Sequence, residues 1–453
     1  MSASSPLSHA AASVNRTTTV ERTLLYRDAL TSVLSFLSLR ELAAALVVSK
    51  EWTGAVLSMK PAMLPAYVSA DHLPALLASH GLRRHVGSLG DPSIYKLTLS
   101  SSQIPAVSRA LPQLHSLTAG LRMETDDDDE PLLFPSSLRR LYLFLLSSPP
   151  GEPRTSTPLL AAIGHLSQLH TLRLNLWDAE EVCLAPLQQL PLLRDLQLSG
   201  SFPKPAQFAT ELRALPWLHR LRIVASFVST LALRDAFRDA FLCDTPDAEL
   251  CALQWRELSL FNICFTDQAA QRLPLLPSLE RLQANVAHCR CLDFLSALPQ
   301  LTALELQLQW MKDADWMTLL GVFTSDGLVR LRTLSLRGGP CCSEDLTQLL
   351  SHTPALTNLA LRHLEKVTSL SVFQQLPSLS ATLMYLTLEC SNSWSLTAAD
   401  LPPLLALQQL RELRLLRWPS RMRDRLTLEE RAPFQQRPCS VLPHLAVFEW
   451  TMQ

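Results

Sequence analysis

A phrase of the form Leu-x-x-Leu-x-Leu returns fourteen times along this chain of 453 residues, usually introduced by Leu-Pro two or three residues earlier. Its first position falls at Ile94, Leu114, Leu138, Leu169, Leu193, Leu218, Trp255, Leu279, Leu301, Leu331, Leu356, Leu383, Leu410 and Leu445. The spacing averages 27 residues, and the longest intervals are 138–169, 218–255, 301–331 and 410–445. A sequence that repeats at this period is a stack of like units, each too small to bury its own apolar face.

Within the phrase, positions 4 and 6 are two residues apart, so an extended chain points both to one side. Leu172 and Leu174, Leu196 and Leu198, and Leu334 and Leu336 are such pairs. Positions 3, 5 and 7 then point the other way, toward solvent. The connecting stretches carry apolar residues at helical spacing, as in Leu346, Leu349 and Leu350. Proline has no N–H and biases its predecessor toward extended geometry. Pro191, Pro216, Pro277, Pro299, Pro354 and Pro443 therefore end each helix and start each strand. The expected fold is α/β: a curved solenoid with an inner parallel sheet and outer helices. The competing reading is a leucine-rich helical bundle, and the recurrent two-residue alternation argues against it.

Residues 93–453 resemble the leucine-rich-repeat family. The stretch Trp255-Arg-Glu-Leu258-Ser-Leu260, followed by Cys264, Thr266 and Asp267, is nearest its cysteine-containing subclass. Ser343-Glu-Asp-Leu346 echoes the same helix start. The family's Asn or Cys after the strand is missing, since position 9 holds Trp177, Ser201, Ser226, Ile263, Gln309 and Trp418. The corners must therefore find other hydrogen-bond partners.

Residues 24–53 follow a different pattern. Leu30, Val33, Leu34 and Leu37 form one helical stripe. Ser38 and Glu41 make a capping box for a second helix carrying Leu39, Leu42 and Leu46, and Ser49 caps a third with Trp52 inside. This segment resembles an F-box, on Leu25, Asp28, Leu30, Val33, Phe36 and Leu37, then Leu39-Arg40-Glu41-Leu42, Ser49-Lys50 and Trp52. It departs from the family at Tyr26, where a proline is usual. The resemblance implies docking on a Skp-family adaptor of a cullin ubiquitin ligase through Leu25, Asp28, Leu30, Val33, Leu34, Phe36, Leu37, Leu39, Leu42 and Trp52. The repeats would then hold a substrate protein, with no catalysis by the chain itself. The alternative is a helical cap on the first repeat. The expected organisation is a disordered tail over 1–22, an F-box-like module over 23–65, a linker and cap over 66–92, and about fourteen repeats over 93–453.

Lysine plus arginine number 40 against 41 acidic residues, so net charge gives no pull toward nucleic acid. No apolar run reaches the roughly 18 residues that a membrane-spanning helix needs. No phosphate-cradling glycine motif occurs, and no cofactor is expected. The ten cysteines form no paired framework, which suits a reducing compartment, cytoplasmic or nuclear. His288-Cys289-Arg290-Cys291 lacks the second pair that a zinc site needs. Cys341-Cys342 reads as a solvated loop, and Asp126–Glu130 as a solvated acidic run. The better candidate surface is the outward strand face, where Arg140, Tyr142, Phe144, Arg173, Arg220 and Arg222 combine cations with aromatic rings. That composition suits an acidic or phosphorylated protein partner. The alternative is that these arginines only solubilise the sheet.

Overall fold

The computed structural model describes residues 64–67, 73–78, 86–90, 97–123, 132–146, 157–176, 182–201, 204–225, 231–286, 289–290, 292–309, 311–324, 328–364, 366–367, 370–389, 402–418 and 444–452. The chain divides into two compact units, Met1–Asp178 with Pro186–Leu193, and Ala179–Ala185 with Arg194–Gln453.

In the first unit the described strands are β1 (Leu64–Tyr67), β2 (Val86–Gly90), β3 (Thr98–Ser100), β4 (Ser116–Arg122), β5 (Arg140–Leu145) and β6 (Thr171–Leu176). All their pairings are parallel. Leu117 stands beside Leu141, and Leu141 beside Leu172, so each phrase stacks on the next in register. Among the described residues the sheet already includes Leu64–Tyr67, in sequence expected to close the helical module and form linker and cap. Thr98, expected beside Thr118, pairs instead with Gly120. The start of β4 is taken by β2, through Ser88 with Ser116 and Leu89 with Leu117. β3 therefore reaches only the far end of β4. The phrase led by Ile94 is a side branch, because an earlier strand with no such phrase occupies its place.

In the second unit, β7 (Asp195–Gly200), β8 (Arg220–Ala225), β9 (Glu257–Cys264), β10 (Arg281–Asn285), β11 (Ala303–Gln307), β12 (Thr333–Arg337), β13 (Asn358–Arg362), β14 (Tyr385–Glu389), β15 (Glu412–Trp418) and β16 (Val447–Met452) lie side by side in chain order. Helices such as Pro205–Arg213, Asp313–Thr324 and Ser343–Ser351 connect them. Leu282, Leu304, Leu334, Leu359 and Leu386 stand in one register row, and each is at most 2% exposed. Parallel strands, repeated helical returns and a core of stacked leucines define a leucine-rich-repeat fold, and they rule out the helical bundle.

The Leu-Pro step has a more specific role than ending a helix. Leu114 N–H donates to Leu111 C=O (3.1 Å), and the same bond recurs from Leu193 to Leu190, Leu218 to Leu215, Leu279 to Leu276 and Leu301 to Leu298. Each is a four-residue turn with proline second, where its fixed φ is already correct. The turn delivers the first leucine to the core and releases the chain into the strand.

Backbone groups satisfy the corners that lack asparagine. Where strands start, one carbonyl takes two N–H groups from the next turn. Arg332 and Thr333 donate to Thr302 C=O (2.8 and 3.0 Å), and Thr357 and Asn358 donate to Arg332 C=O (both 2.9 Å). Where strands end, Val286 N–H reaches Gln307 C=O (3.2 Å), Leu308 reaches Arg337 (2.8 Å), Gly338 reaches Arg362 (2.7 Å) and His363 reaches Glu389 (2.8 Å). Gly338 and His363 adopt φ of +71° and +55° there. Main chain replaces the side-chain ladder, which frees position 9 for residues such as Leu364, buried to 0% exposure.

The long interval 218–255 holds inserted helices over Leu231–Arg238, Asp239–Cys243 and Asp247–Ala252. Phe208 meets Phe237 edge-on (ring centroids 5.6 Å apart), and Phe237, Phe241 and Trp255 stack in series at 5.1 Å each. Arg238, 6% exposed, donates to Asp235 (2.7 Å), Asp239 (2.8 Å) and the Cys264 carbonyl (3.0 Å). It ties the insertion to the end of β9, where the register steps from Leu260 to Cys264 against β10. The 301–331 interval is filled by the Asp313–Thr324 helix.

Both predicted helix starts are present, with one change of residue. Thr266 caps Asp267–Gln271, its Oγ1 accepting from Ala269 N–H (3.3 Å). The helix Ser343–Ser351 is capped by Cys342 and not by Ser343: Asp345 N–H donates to its Sγ (3.5 Å), and Cys342 N–H donates to Asp345 Oδ2 (3.0 Å). Cys341 is fully buried. The cysteine pair is therefore core and cap, and the expected solvated loop is corrected. Burial pushes the Cys341 thiol well above its ordinary pKa, so it stays protonated.

Candidate functional site

The F-box-like residues Leu25, Asp28, Leu30, Val33, Leu34, Phe36, Leu37, Leu39, Leu42 and Trp52 lie outside the described residues, as does Asp126–Glu130. The six predicted face residues are described, and they divide between the two units.

The first unit holds Arg140, Tyr142, Phe144 and Arg173 on neighbouring strands. Leu141, Leu143, Leu172 and Leu174 point inward and are at most 2% exposed, which turns the alternate positions outward. Tyr142 pairs in register with Arg173, and the Arg173 guanidinium carbon sits 4.6 Å from the Tyr142 ring centroid. Arg140 and Arg173 are exposed, while Tyr142 and Phe144 are half-buried. Arg122 at the end of β4 is exposed as well. No Asp or Glu occurs in β1 to β6. This face is cationic and aromatic, with the ring holding one arginine in place.

The second unit is different. Arg220 lies 3.9 Å from Asp195 and 3.8 Å from Glu257, and Arg222 lies 3.7 Å from Glu257. Arg281 approaches Glu257 from the other strand at 3.9 Å. Arg222 also lies 5.9 Å from the Phe261 ring centroid. His219 is held below its ordinary pKa by burial and by Arg194, Arg256 and Arg220, so at neutral pH it adds no cation. Arg220 and Arg222 therefore stand in a mixed-charge lattice and do not form a bare cation patch. The pairing could have been anticipated, because Glu257 occupies the phrase position directly beside Arg220.

Further along, the strand face is less exposed than alternation alone implies. Ser259 is 1% exposed, Gln283 8%, Ser335 7%, Asn285 8% and Gln307 9%. Ser259 Oγ donates to Gln283 Oε1 at 2.6 Å. A hollow of about 110 Å³ opens over β10 to β12, with Glu305 half-buried on its floor. A larger hollow, about 420 Å³, lies where β11 to β13 end, lined in part by Asp313, Gly338, Gly339, His363 and Lys366. There Lys366 pairs with Asp313 (2.8 Å) and His363 with Glu389 (3.3 Å).

Among the described residues no group of three His, Cys, Asp or Glu could hold a metal ion. Cys289 is buried and its thiol faces the Phe265 carbonyl at 3.2 Å, while His288 and Cys291 lie outside the described residues. No described helix is long and apolar enough to cross a membrane.

These observations define a leucine-rich-repeat array that offers strand surface for contact with other molecules. No family model and no curated protein matches the chain. Among solved structures, an internalin (inlF) from Listeria monocytogenes strain 4b F2365 is similar with a TM-score of 0.38 and 16% identity, over 84% of this chain and 95% of that one. Internalin C2 (inlC2) of the same strain is similar with a TM-score of 0.29 and 14% identity, over 59% of this chain and 91% of that one. The fold class rests on the strand register and the buried leucines of this chain.

Proposed function

We propose that this chain is a protein-recognition subunit whose first unit binds an acidic or phosphorylated segment of a protein partner. The observation that carries this reading is Arg173 lying over Tyr142, with Arg140 beside it, on strands that contain no carboxylate. An arginine held over a ring keeps its donors available as a fork matched to carboxylate or phosphate. The chain performs no chemistry of its own in this reading.

The finer part of the proposal concerns residues 24–53. Their resemblance to an F-box supports attachment to a Skp-family adaptor, which would make the chain the substrate receptor of a cullin ubiquitin ligase in the cytoplasm or nucleus. Its contribution to rate would then be proximity, by raising the local concentration of the target lysine. The test is co-purification of the intact chain with a Skp-family adaptor, compared with Leu30→Asp and Phe36→Asp variants. Retention of the adaptor by the intact chain and its loss from both variants is the expected result. Absence of the adaptor from the intact chain overturns the ligase reading.

One observation favours a second reading, a scaffold whose amino-terminal segment only caps the array. Among the described residues the first strand of the sheet is Leu64–Tyr67, with residues 54–63 between it and that segment. In that case protein binding through the first unit would persist, and no adaptor would be recruited.

A further inference from the structure

Arg140 and Arg173 stand over the same strand. The Arg173 guanidinium leans from β6 onto the Tyr142 ring of β5. Arg140 rises from β5 itself, two residues before Tyr142 on the same face, which sets the two positions about 7 Å apart along the strand. Long side chains at that diagonal spacing reach one another. Neither arginine has a carboxylate partner among the described residues, in contrast to Arg220 and Arg222. Hydroxyls flank the pair. Ser116 of β4 and Thr171 of β6 stand in register on either side of Arg140. Leu117, Ala119 and Leu121 point inward at no more than 1% exposure, so Ser116 belongs to the outer face, yet it is only 7% exposed. Among the described residues neither hydroxyl is hydrogen-bonded. A polar side chain that is covered and unengaged is costly to leave so.

The count of charges and donors selects the anion. A carboxylate carries one charge, so on this pair it leaves a guanidinium uncompensated. A phosphate monoester carries close to two negative charges at neutral pH and presents three strong acceptor oxygens. It can take a fork from each arginine and a further hydrogen bond from Ser116 or Thr171. β1 to β6 contain no Asp or Glu to oppose it. The whole chain balances 40 basic against 41 acidic residues, so a membrane surface or a nucleic acid finds no wider field to hold it. The half-buried rings of Tyr142 and Phe144 beside the arginines offer packing for a peptide instead.

We infer that Arg140 and Arg173 close on one phosphate group, carried by a phosphorylated side chain of the protein partner, with Ser116 and Thr171 as flanking donors. Phosphorylation of the partner then switches binding on. The inference rests on the reading that the first unit binds an acidic or phosphorylated segment, and it narrows that reading to the phosphorylated form.

The test uses the full chain and one peptide, acetyl-Gly-Ala-Gly-X-Gly-Ala-Gly-amide, with X as serine, glutamate or phosphoserine, observed by saturation-transfer NMR. The phosphoserine form should bind about tenfold more tightly than the glutamate form, the worth of one added charge-assisted bond, and the serine form should not bind. In Arg140→Gln and in Arg173→Gln the preference for phosphoserine over glutamate should collapse to less than about threefold. Arg220→Gln, whose guanidinium is already paired, should leave the preference unchanged. Unchanged circular dichroism confirms that the variants are folded. Equal binding of the glutamate and phosphoserine forms, or a preference that survives Arg140→Gln, overturns the inference and leaves the broader first-unit reading standing. Binding of neither form overturns both. Phosphatidylcholine vesicles containing a phosphoinositide should not bind, and capture by them without binding of the phosphoserine peptide overturns the assignment to protein.

Discussion

The guanidinium of Arg173 lies 4.6 Å from the centre of the Tyr142 ring, on the strand beside it. The stack holds a long flexible side chain in one place before any partner arrives, so less entropy is lost on binding. Tyr142→Phe should keep the stack, and Tyr142→Leu should remove it. Affinity for a phosphoserine peptide should change little in the first variant. It should fall about five- to tenfold in the second, from roughly 1 kcal/mol of lost cation–π attraction. Arg173→Lys should also weaken binding, because an ammonium has no planar fork. Fluorescence anisotropy measures all three.

The cap of the Ser343–Ser351 helix is expected to be sensitive to acid. Burial raises the Asp345 carboxyl, but hydrogen bonds from the Cys342 backbone and thiol, and from the Trp316 indole (2.8 Å), outweigh it and hold the group below the ordinary carboxylate range. A carboxyl depressed by folding contributes stability above its unfolded value and loses it as pH falls through the folded one. This contribution is full at neutral pH, begins to fall near the unfolded value of about 4 and is lost as pH drops through the lower folded one. Asp345→Ala should cost about 2–3 kcal/mol at pH 7, from the lost cap and an orphaned indole N–H. It should also flatten the acid limb of the stability curve, as measured by urea unfolding at several pH values.

Gly339 tests the close approach of successive turns. Its φ is +95°, and a Cβ there would lie 2.8 Å from the Leu308 Cβ. Gly339→Ala should therefore destabilise the second unit by about 1–3 kcal/mol through strain and overlap. Gly321 has nothing within 4 Å of a Cβ and lies inside a helix, so Gly321→Ala should stabilise slightly. Thermal melts of the two variants should move in opposite directions.

Phe241 sits between Phe237 and Trp255 at 5.1 Å from each, with 0% exposure. Phe241→Ala should cost about 3–5 kcal/mol, since a buried aromatic leaves a cavity that its stacked neighbours cannot close. The measurement is chemical unfolding, and a loss under 1 kcal/mol would mean that the inserted helices do not share the core.

The inward residues were legible because alternation of period two leaves one solution. Leu196, Leu198, Leu334 and Leu336 are all completely buried. The outward columns were legible wherever phrases stack in register, from Thr118 through Tyr142 to Arg173. Thr98 escaped because β2 lacks the leucine phrase yet holds the place beside β4. The bonds that replace the asparagine ladder were hidden because they join main-chain atoms, which every residue carries. The pairing of Lys366 with Asp313 joins residues 53 apart and leaves no local pattern. The type of each outward side chain is visible in sequence, and the pairing of Arg220 and Arg222 with Glu257 follows once the strands carrying them are set side by side in phrase register.

The contrast between the two sets of arginines gives the most direct test. A fluorescent phosphoserine peptide is titrated with the intact chain, with Arg140→Glu/Arg173→Glu, and with Arg220→Glu/Arg222→Glu. The account predicts that the first pair abolishes binding, while the second changes it less than about threefold because those arginines already have carboxylate partners. Undiminished binding by the Arg140→Glu/Arg173→Glu variant, with the fold intact by circular dichroism, would contradict it.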